Sequence, residues 1–131
     1  MTGGALAPRT SGAPALGVIG AGPITDFHVR ALLDCGFRPQ AVAARPGSIR
    51  ASELATRFGF LSCYGDWREV LDQPLDALAI LTPPEPTPEI LTAAMQNTIG
   101  PILVEKPDSL KPETVERLAD LPGANRVLVG Y

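Results

Sequence analysis

A glycine turn is the first group of residues with a possible chemical role. Gly20, Ala21 and Gly22 follow a short apolar run, and Pro23 and Ile24 lead from them into a helical pattern. A Gly-x-Gly turn between a strand and a helix lets the backbone approach a pyrophosphate, while the helix amides and dipole attract its charge. Pro23 has no amide hydrogen, so the glycines and Ile24 must supply the donors. The turn predicts a dinucleotide site; the alternative is a turn used only for close packing.

A second candidate region follows the next predicted strand. Sites for NAD place an Asp or Glu there to receive the adenosine ribose hydroxyls. The stretch from Ala44 to Arg50 contains no acidic residue and offers Arg45, Ser48 and Arg50 instead. Guanidinium groups pair well with phosphate, so these residues predict NADP as the preferred cofactor, with NAD still possible. The alternative is a solvated basic loop.

The residue counts exclude several other kinds of site. Two cysteines, Cys35 and Cys63, and one histidine, His28, cannot build zinc fingers or clustered Cys/His sites, so no metal site is predicted. A nucleophilic triad is disfavoured, because His28 sits in a helical pattern far from any Gly-x-Ser-x-Gly turn. The net charge of −3 argues against nucleic acid or an anionic membrane as a partner. Unpaired thiols and the lack of a long apolar run favour a cytoplasmic protein.

The elements that must position these residues follow from the hydrophobic pattern. The 131 residues suggest one domain, with a flexible leader at 1–15, rich in Gly, Ala and Pro, and the folded part at 16–131. Short apolar runs alternate with amphipathic stretches, which indicates successive βαβ units. Strands are predicted at 16–20, 41–44, 60–64, 77–81, 102–104 and 126–130. They predict an α/β fold, a Rossmann-type doubly wound parallel sheet of order 3-2-1-4-5-6 with helices on both faces.

Two helix starts are predicted from local signals. Pro23 is expected to be the first residue of the first helix. Its apolar face is expected to comprise Ile24, Phe27, Ala31, Leu32 and Cys35. The four prolines between Thr82 and Pro88 forbid a helix, and Thr87 is expected to cap a helix that begins at Pro88.

An ordered set of short motifs extends from Leu16 to Tyr131. They are the glycine turn with His28 after it, Tyr64-Gly65-Asp66-Trp67, Asp76-Ala77, Leu81-Thr82-Pro83-Pro84, Val104-Glu105-Lys106-Pro107 and Val129-Gly130-Tyr131. In this order they resemble the Gfo/Idh/MocA oxidoreductases, the relatives of glucose-fructose oxidoreductase and inositol 2-dehydrogenase. The whole set is far more specific than any single motif.

The resemblance implies a nicotinamide dinucleotide bound by the glycine turn, with Leu81, Thr82 and Pro83 beside the ribose and nicotinamide. It also places Glu105 and Lys106 at the nicotinamide end, with a sugar or polyol as the expected substrate. A lysine suits that place, because hydride transfer to or from a carbinol needs a managed proton and positive charge near the developing oxyanion. Lys106 is therefore the candidate catalytic residue. His28 is expected to pack or cap rather than to catalyse.

The sequence also departs from the family. Thr25 stands where the family usually has Gly or Ala, and no histidine lies near Thr87. Family members continue beyond the position of Tyr131 into a C-terminal substrate domain, which is expected to be absent here. We therefore expect a cofactor-binding domain that is incomplete or inactive alone, with a separate C-terminal domain or a second copy as possible partners. The alternative is a non-catalytic module that binds a dinucleotide or docks on a partner.

Overall fold

The computed structural model describes residues 13–83, 85–97, 99–105 and 112–129. Strands and helices alternate along this part of the chain. The strands are β1 (Ala15–Ile19), β2 (Arg38–Ala43), β3 (Ser62–Tyr64), β4 (Ala77–Ile80), β5 (Ile102–Val104) and β6 (Val127–Val129). The helices are α1 (Thr25–Asp34), α2 (Ile49–Phe58), α3 (Trp67–Leu71), α4 (Thr87–Met95) and α5 (Pro112–Ala119), and a short 3-10 turn, Ala124–Arg126, precedes β6.

The six strands form one parallel sheet in the order β3-β2-β1-β4-β5-β6. This confirms the predicted doubly wound fold and its strand order. The order reverses between β1 and β4, so the carboxyl ends of these two neighbouring strands border the crevice where such sheets bind ligands. Central strands of a parallel sheet are covered on both faces, and every residue of β1 and β4 is buried.

The core consists of two apolar clusters. One contains Ile19, Val70, Ile80, Ile90 and Ile102, and the other contains Leu16, Val18, Val29, Val42 and Leu54. Successive residues of β1 fall into different clusters because neighbouring side chains of a strand point to opposite faces of the sheet. The sheet is thus held from both sides, and the turns at its carboxyl edge start from rigid strands.

β2 begins three residues earlier than the predicted start at Ala41. The sequence pattern hid this part because Pro39 has no amide hydrogen for a ladder. The register against β1 shifts there: Leu16 pairs with Pro39, but Gly17 pairs with Ala41. Gln40 is the extra residue, and this bulge accommodates the proline next to regular pairing.

The predictions for α1 are wrong in two respects. The helix begins at Thr25, not at Pro23, and Ile24 takes the N-cap position. The predicted apolar face is largely exposed, since Phe27 is 69% and Ile24 is 49% exposed, whereas Thr25 and Val29 are buried. Hydrophobic spacing alone misplaced the buried face because that face includes a small polar residue, Thr25, which is fully buried.

The predicted cap of α4 is also wrong. Thr87 is the first helical residue, Pro86 takes the N-cap position, and no side chain caps the helix. The hydroxyl of Thr87 instead donates to the Pro83 carbonyl at 2.7 Å and lies 2.7 Å from the Thr82 hydroxyl. The proline-rich loop before α4 is therefore tied to the helix by Thr87.

Candidate cofactor site

The candidate residues lie in segments that leave the carboxyl edge of the sheet. Gly20 follows β1 and donates its N–H to the Ala43 carbonyl at 2.8 Å. Leu81 follows β4 and donates to the Ile19 carbonyl at 2.8 Å, and Glu105 follows β5 and donates to Ile80 at 3.3 Å. These bonds continue the ladders by one residue, so the first residue of each segment is fixed by the sheet.

The two glycines of the turn have different roles. Gly20 has a φ of +118°, and a Cβ placed there would lie 2.5 Å from the Leu81 carbonyl oxygen. Only glycine meets both conditions, so the backbone after β1 can pack directly on the segment after β4. Gly22 has an ordinary φ, and a Cβ there would meet nothing within 4 Å. Gly20 is required by the fold, whereas Gly22 keeps a space free at the start of α1.

An arginine from α2 holds the middle of this turn. Arg50 Nε donates to the Ala21 carbonyl at 2.7 Å, and the side chain is exposed. The terminal guanidinium nitrogens are therefore held beside the turn. The positive charge of Arg50 favours an anion next to Gly22.

A carboxylate near the same helix start is neutralised. Asp26 lies in the first turn of α1, where it would repel a phosphate, but Arg57 of α2 forms an ion pair with it. This ion pair and the Arg50 bond both join α1 or its turn to α2. No local pattern indicates the Asp26–Arg57 pair, because its partners are 31 residues apart.

The loop after β2 carries the other basic candidates. Ala44 donates to the Tyr64 carbonyl at 3.2 Å and is half-buried, whereas Arg45 is exposed. Ser48 is the N-cap of α2, and its side-chain oxygen accepts a hydrogen bond from Ala51 N at 3.1 Å. This loop therefore offers an exposed cation and a capped helix start without a carboxylate from Ala44 to Arg50.

The candidate residues that follow β4 are held by a buried polar side chain, that of Thr87. Leu81 is 5% exposed, and Thr82 and Pro83 follow it into the loop that Thr87 holds. Thr87 itself is 1% exposed. The sequence predicts only a capping role for Thr87. Its contact with Thr82 was missed because no periodic pattern links the two residues across the prolines.

A histidine and a glutamate meet at the same edge. His28 Nε2 of α1 lies 2.7 Å from Glu105 Oε1, and the two side chains are 21% and 18% exposed. Phe27 stacks edge-on against the His28 ring at 5.8 Å between ring centres. The prediction that His28 packs was therefore incomplete, because it also pairs with a candidate site residue. One signal was available: His28 is the only histidine, and Glu105 directly follows an apolar strand.

Several predicted residues lie outside the described part of the chain. They are Pro84, Lys106, Pro107, Gly130 and Tyr131. Residues 1–12 of the expected leader lie outside it as well. Glu105, which immediately precedes Lys106, is the described residue nearest in sequence to the candidate catalytic residue.

The described residues suit a nicotinamide dinucleotide. The open space at Gly22 faces no protein atom, and the Arg50 cation lies beside the same turn. Glu105 Oε1 is closed off from solvent and has no well-aligned donor among the described residues. His28 Nε2 occupies the position beside that oxygen, but the Glu105 side chain as a whole is 18% exposed, so its carboxylate can accept a hydrogen bond from a ligand hydroxyl or amide.

Residues 13–83, 85–97, 99–105 and 112–129 contain neither a cluster of metal ligands nor a membrane-spanning helix. No group of three or more His, Cys, Asp or Glu side chains there could hold a metal ion. None of the helices in these ranges is long and apolar enough to cross a membrane.

The fold and the glycine turn define a class, the NAD-binding Rossmann domains of oxidoreductases. A family model described as "Oxidoreductase family, NAD-binding Rossmann fold" matches residues 15–131. The chain therefore belongs to the Gfo/Idh/MocA oxidoreductase family, as its motifs predicted. No curated protein sequence gives a significant match.

Solved structures show the same fold. A levoglucosan dehydrogenase in complex with NADH and L-sorbose is 27% identical, with a TM-score of 0.70 over 86% of this chain and 32% of its own. The myo-inositol 2-dehydrogenase of Lactobacillus plantarum is 22% identical, with a TM-score of 0.77 over 90% and 36%. An Agrobacterium radiobacter oxidoreductase in complex with NAD+, L-tartaric acid and magnesium is 19% identical, with a TM-score of 0.77 over 88% and 34%. The chain spans about a third of the length of these structures.

Proposed function

We propose that this chain holds a nicotinamide dinucleotide along the carboxyl edge of its sheet and serves an oxidoreductase that acts on a sugar or polyol carbinol. The observation that carries the proposal is the contrast at the glycine turn. Gly20 is forced by packing, yet Gly22 has nothing within 4 Å of a Cβ position at the start of α1. A turn used only for packing would not need a second glycine there.

The residues divide into three groups along the dinucleotide. Gly20, Ala21, Gly22, Pro23 and Ile24 lie at the pyrophosphate, with Arg50 beside them. Ala44, Arg45 and Ser48 lie at the adenosine ribose. At the nicotinamide end the residues are Leu81, Thr82, Pro83, Glu105 and Lys106. The bound dinucleotide supplies a hydride donor or acceptor, and this chain's residues bind it and orient its two ends.

We also propose that the chain prefers NADPH to NADH. The loop after β2 has no carboxylate between Ala44 and Arg50, and Arg45 is exposed in it. A 2′-phosphate would gain a charge-assisted contact there, whereas ribose hydroxyls would find no carboxylate to accept them. NADH or NAD+ is bound in the levoglucosan dehydrogenase and Agrobacterium structures, so this preference rests on the loop of this chain alone.

The catalytic part of the proposal concerns Lys106. Its ammonium group would stabilise the developing oxyanion of the substrate and take part in moving the carbinol proton. A substrate must also be held in line with the cofactor and shielded from water. We expect these requirements to need residues outside the described ranges, such as a substrate-binding domain. These 131 residues alone should then bind cofactor and turn over substrate negligibly.

Calorimetric titration of the 131-residue protein with NADPH and NADH tests the binding proposal. We expect saturable binding of both, tighter for NADPH; equal or tighter binding of NADH would overturn the preference. Reduction of NADP+ is then followed by absorbance with inositols, sugars and sugar nucleotides, for the protein and for Lys106→Ala. Robust turnover by the protein alone, lost in Lys106→Ala, would show that these residues are catalytically sufficient.

A further inference from the structure

The contact between His28 and Glu105 links two parts of the candidate site. His28 belongs to α1, the helix that starts at the glycine turn, and Glu105 directly follows β5. Their side chains meet at 2.7 Å between Nε2 and Oε1. The pair therefore connects the pyrophosphate end of the site to the segment that carries Lys106.

The surroundings of Glu105 enclose one oxygen of its carboxylate. Its side chain is 18% exposed, its backbone N–H is bonded to Ile80, and Oε1 is closed off from solvent. No described donor makes a well-aligned hydrogen bond to that oxygen, although His28 Nε2 is within ion-pair distance.

We propose that His28 is a positioning residue for the nicotinamide end of the site. It holds the Glu105 carboxylate at the end of β5, where the carboxylate accepts a hydrogen bond from the nicotinamide riboside part of the dinucleotide. This inference rests on the proposed function and adds to it a residue with no part in the binding scheme above. A glutamate has several rotatable bonds, so fixing it before binding removes an entropic cost from the complex.

Loss of His28 should affect the binding of only one half of the dinucleotide. Loss of His28 leaves the glycine turn, Arg50 and Arg45 unchanged, so a ligand that lacks the nicotinamide riboside should bind as before. NADPH should bind about tenfold more weakly, the scale of losing a hydrogen bond to a charged group. A merely structural tie between α1 and β5 would affect both ligands alike.

The experiment compares NADPH with 2′-phospho-ADP, which ends at the pyrophosphate and lacks the whole nicotinamide riboside. Both are titrated into the unmodified protein, His28→Ala, His28→Gln and Glu105→Gln, and each variant's thermal midpoint is measured. His28→Gln keeps an N–H donor and should restore much of the NADPH affinity. Arg57→Gln, which removes the other ion pair of α1, is the matched control and should leave the affinity ratio unchanged.

A fall in the ratio of NADPH to 2′-phospho-ADP affinity in His28→Ala and Glu105→Gln, partly restored in His28→Gln, supports the inference. An unchanged ratio overturns it and leaves the proposed function standing. Equal weakening of both ligands with a lower thermal midpoint also overturns it, in favour of a structural tie. If the unmodified protein binds neither ligand, both this inference and the proposed function fail.

Discussion

The two sides of the crevice differ in how deeply their candidate groups are buried. Beside β2, the candidate groups are the exposed side chains of Arg45 and Arg50. Beside β4 and β5, they rest on a buried threonine, Thr87, and on the largely enclosed pair His28 and Glu105. Exposed charge can be exchanged without disturbing the fold, whereas a buried polar group is tied to packing. Substitutions on the first side should change which dinucleotide binds, and those on the second should change stability and geometry together.

The largest expected effect is at Gly22, between the two sides. Gly22→Val should abolish binding of both NADH and NADPH, because the branched side chain would occupy the place of the pyrophosphate. The domain should stay folded, since nothing lies within 4 Å of a Cβ there. Calorimetric titration and thermal unfolding measure the two outcomes.

Gly20→Ala is the contrasting variant for that experiment. Its φ of +118° and the 2.5 Å approach to the Leu81 oxygen should make it lose stability rather than binding alone. If Gly22→Val binds NADPH normally, the turn serves only packing and the comparison between the two glycines fails.

The next effect concerns the exposed side. Arg45→Ala should weaken NADPH binding by about 1–3 kcal/mol, the scale of a charge-assisted contact, and leave NADH nearly unchanged. Arg38→Ala is the matched control. Arg38 is the first residue of β2, at the end of the strand opposite to the Arg45 loop, and its guanidinium donates to the Gln40 side chain. Titrations with both dinucleotides measure the two affinities. Equal losses of affinity for NADH and NADPH would show that Arg45 does not contact the 2′-phosphate.

The smallest effect concerns the buried side. Thr87→Val removes the hydroxyl that donates to Pro83 and meets Thr82, so the free energy of unfolding should fall by roughly 1–2 kcal/mol. Thr92→Val is the control, since its hydroxyl donates to the Pro88 carbonyl at 2.8 Å within the same helix and is only half-buried. Urea unfolding of the two variants measures the difference. Similar losses in both would show that the Thr82–Thr87 contact contributes little.

Local patterns were sufficient for the order of elements and the glycine turn. The central strands β1 and β4 were recognisable because a buried parallel strand is a continuous apolar run. The partly exposed edge strands β3 and β6 were recognisable from their place in the alternation of strands and helices. Pro39 hid the start of β2, because the bulge that tolerates a proline is set by the partner strand. The apolar stripe from Ile24 to Cys35 misplaced the buried face of α1, because that face begins with Thr25.

The polar contacts of the site were largely beyond local patterns. Arg50 and Ala21 are 29 residues apart, and His28 and Glu105 are further apart still. Such pairs depend on which loops the strand order brings together. The hydrophobic periodicity of the sequence does not predict them. Motif resemblance located Glu105 in the site, but only the folded chain identified its partner.

The close approach at Gly20 also affects how the crevice moves. The N–H of Gly20 is bonded to Ala43 and that of Leu81 to Ile19, and both residues are buried. Amide hydrogens in such positions exchange with deuterium through opening of the whole domain rather than through local fraying. We therefore expect no hinge at Gly20 or Leu81. Any closure over a bound molecule should then come from segments beyond these two residues.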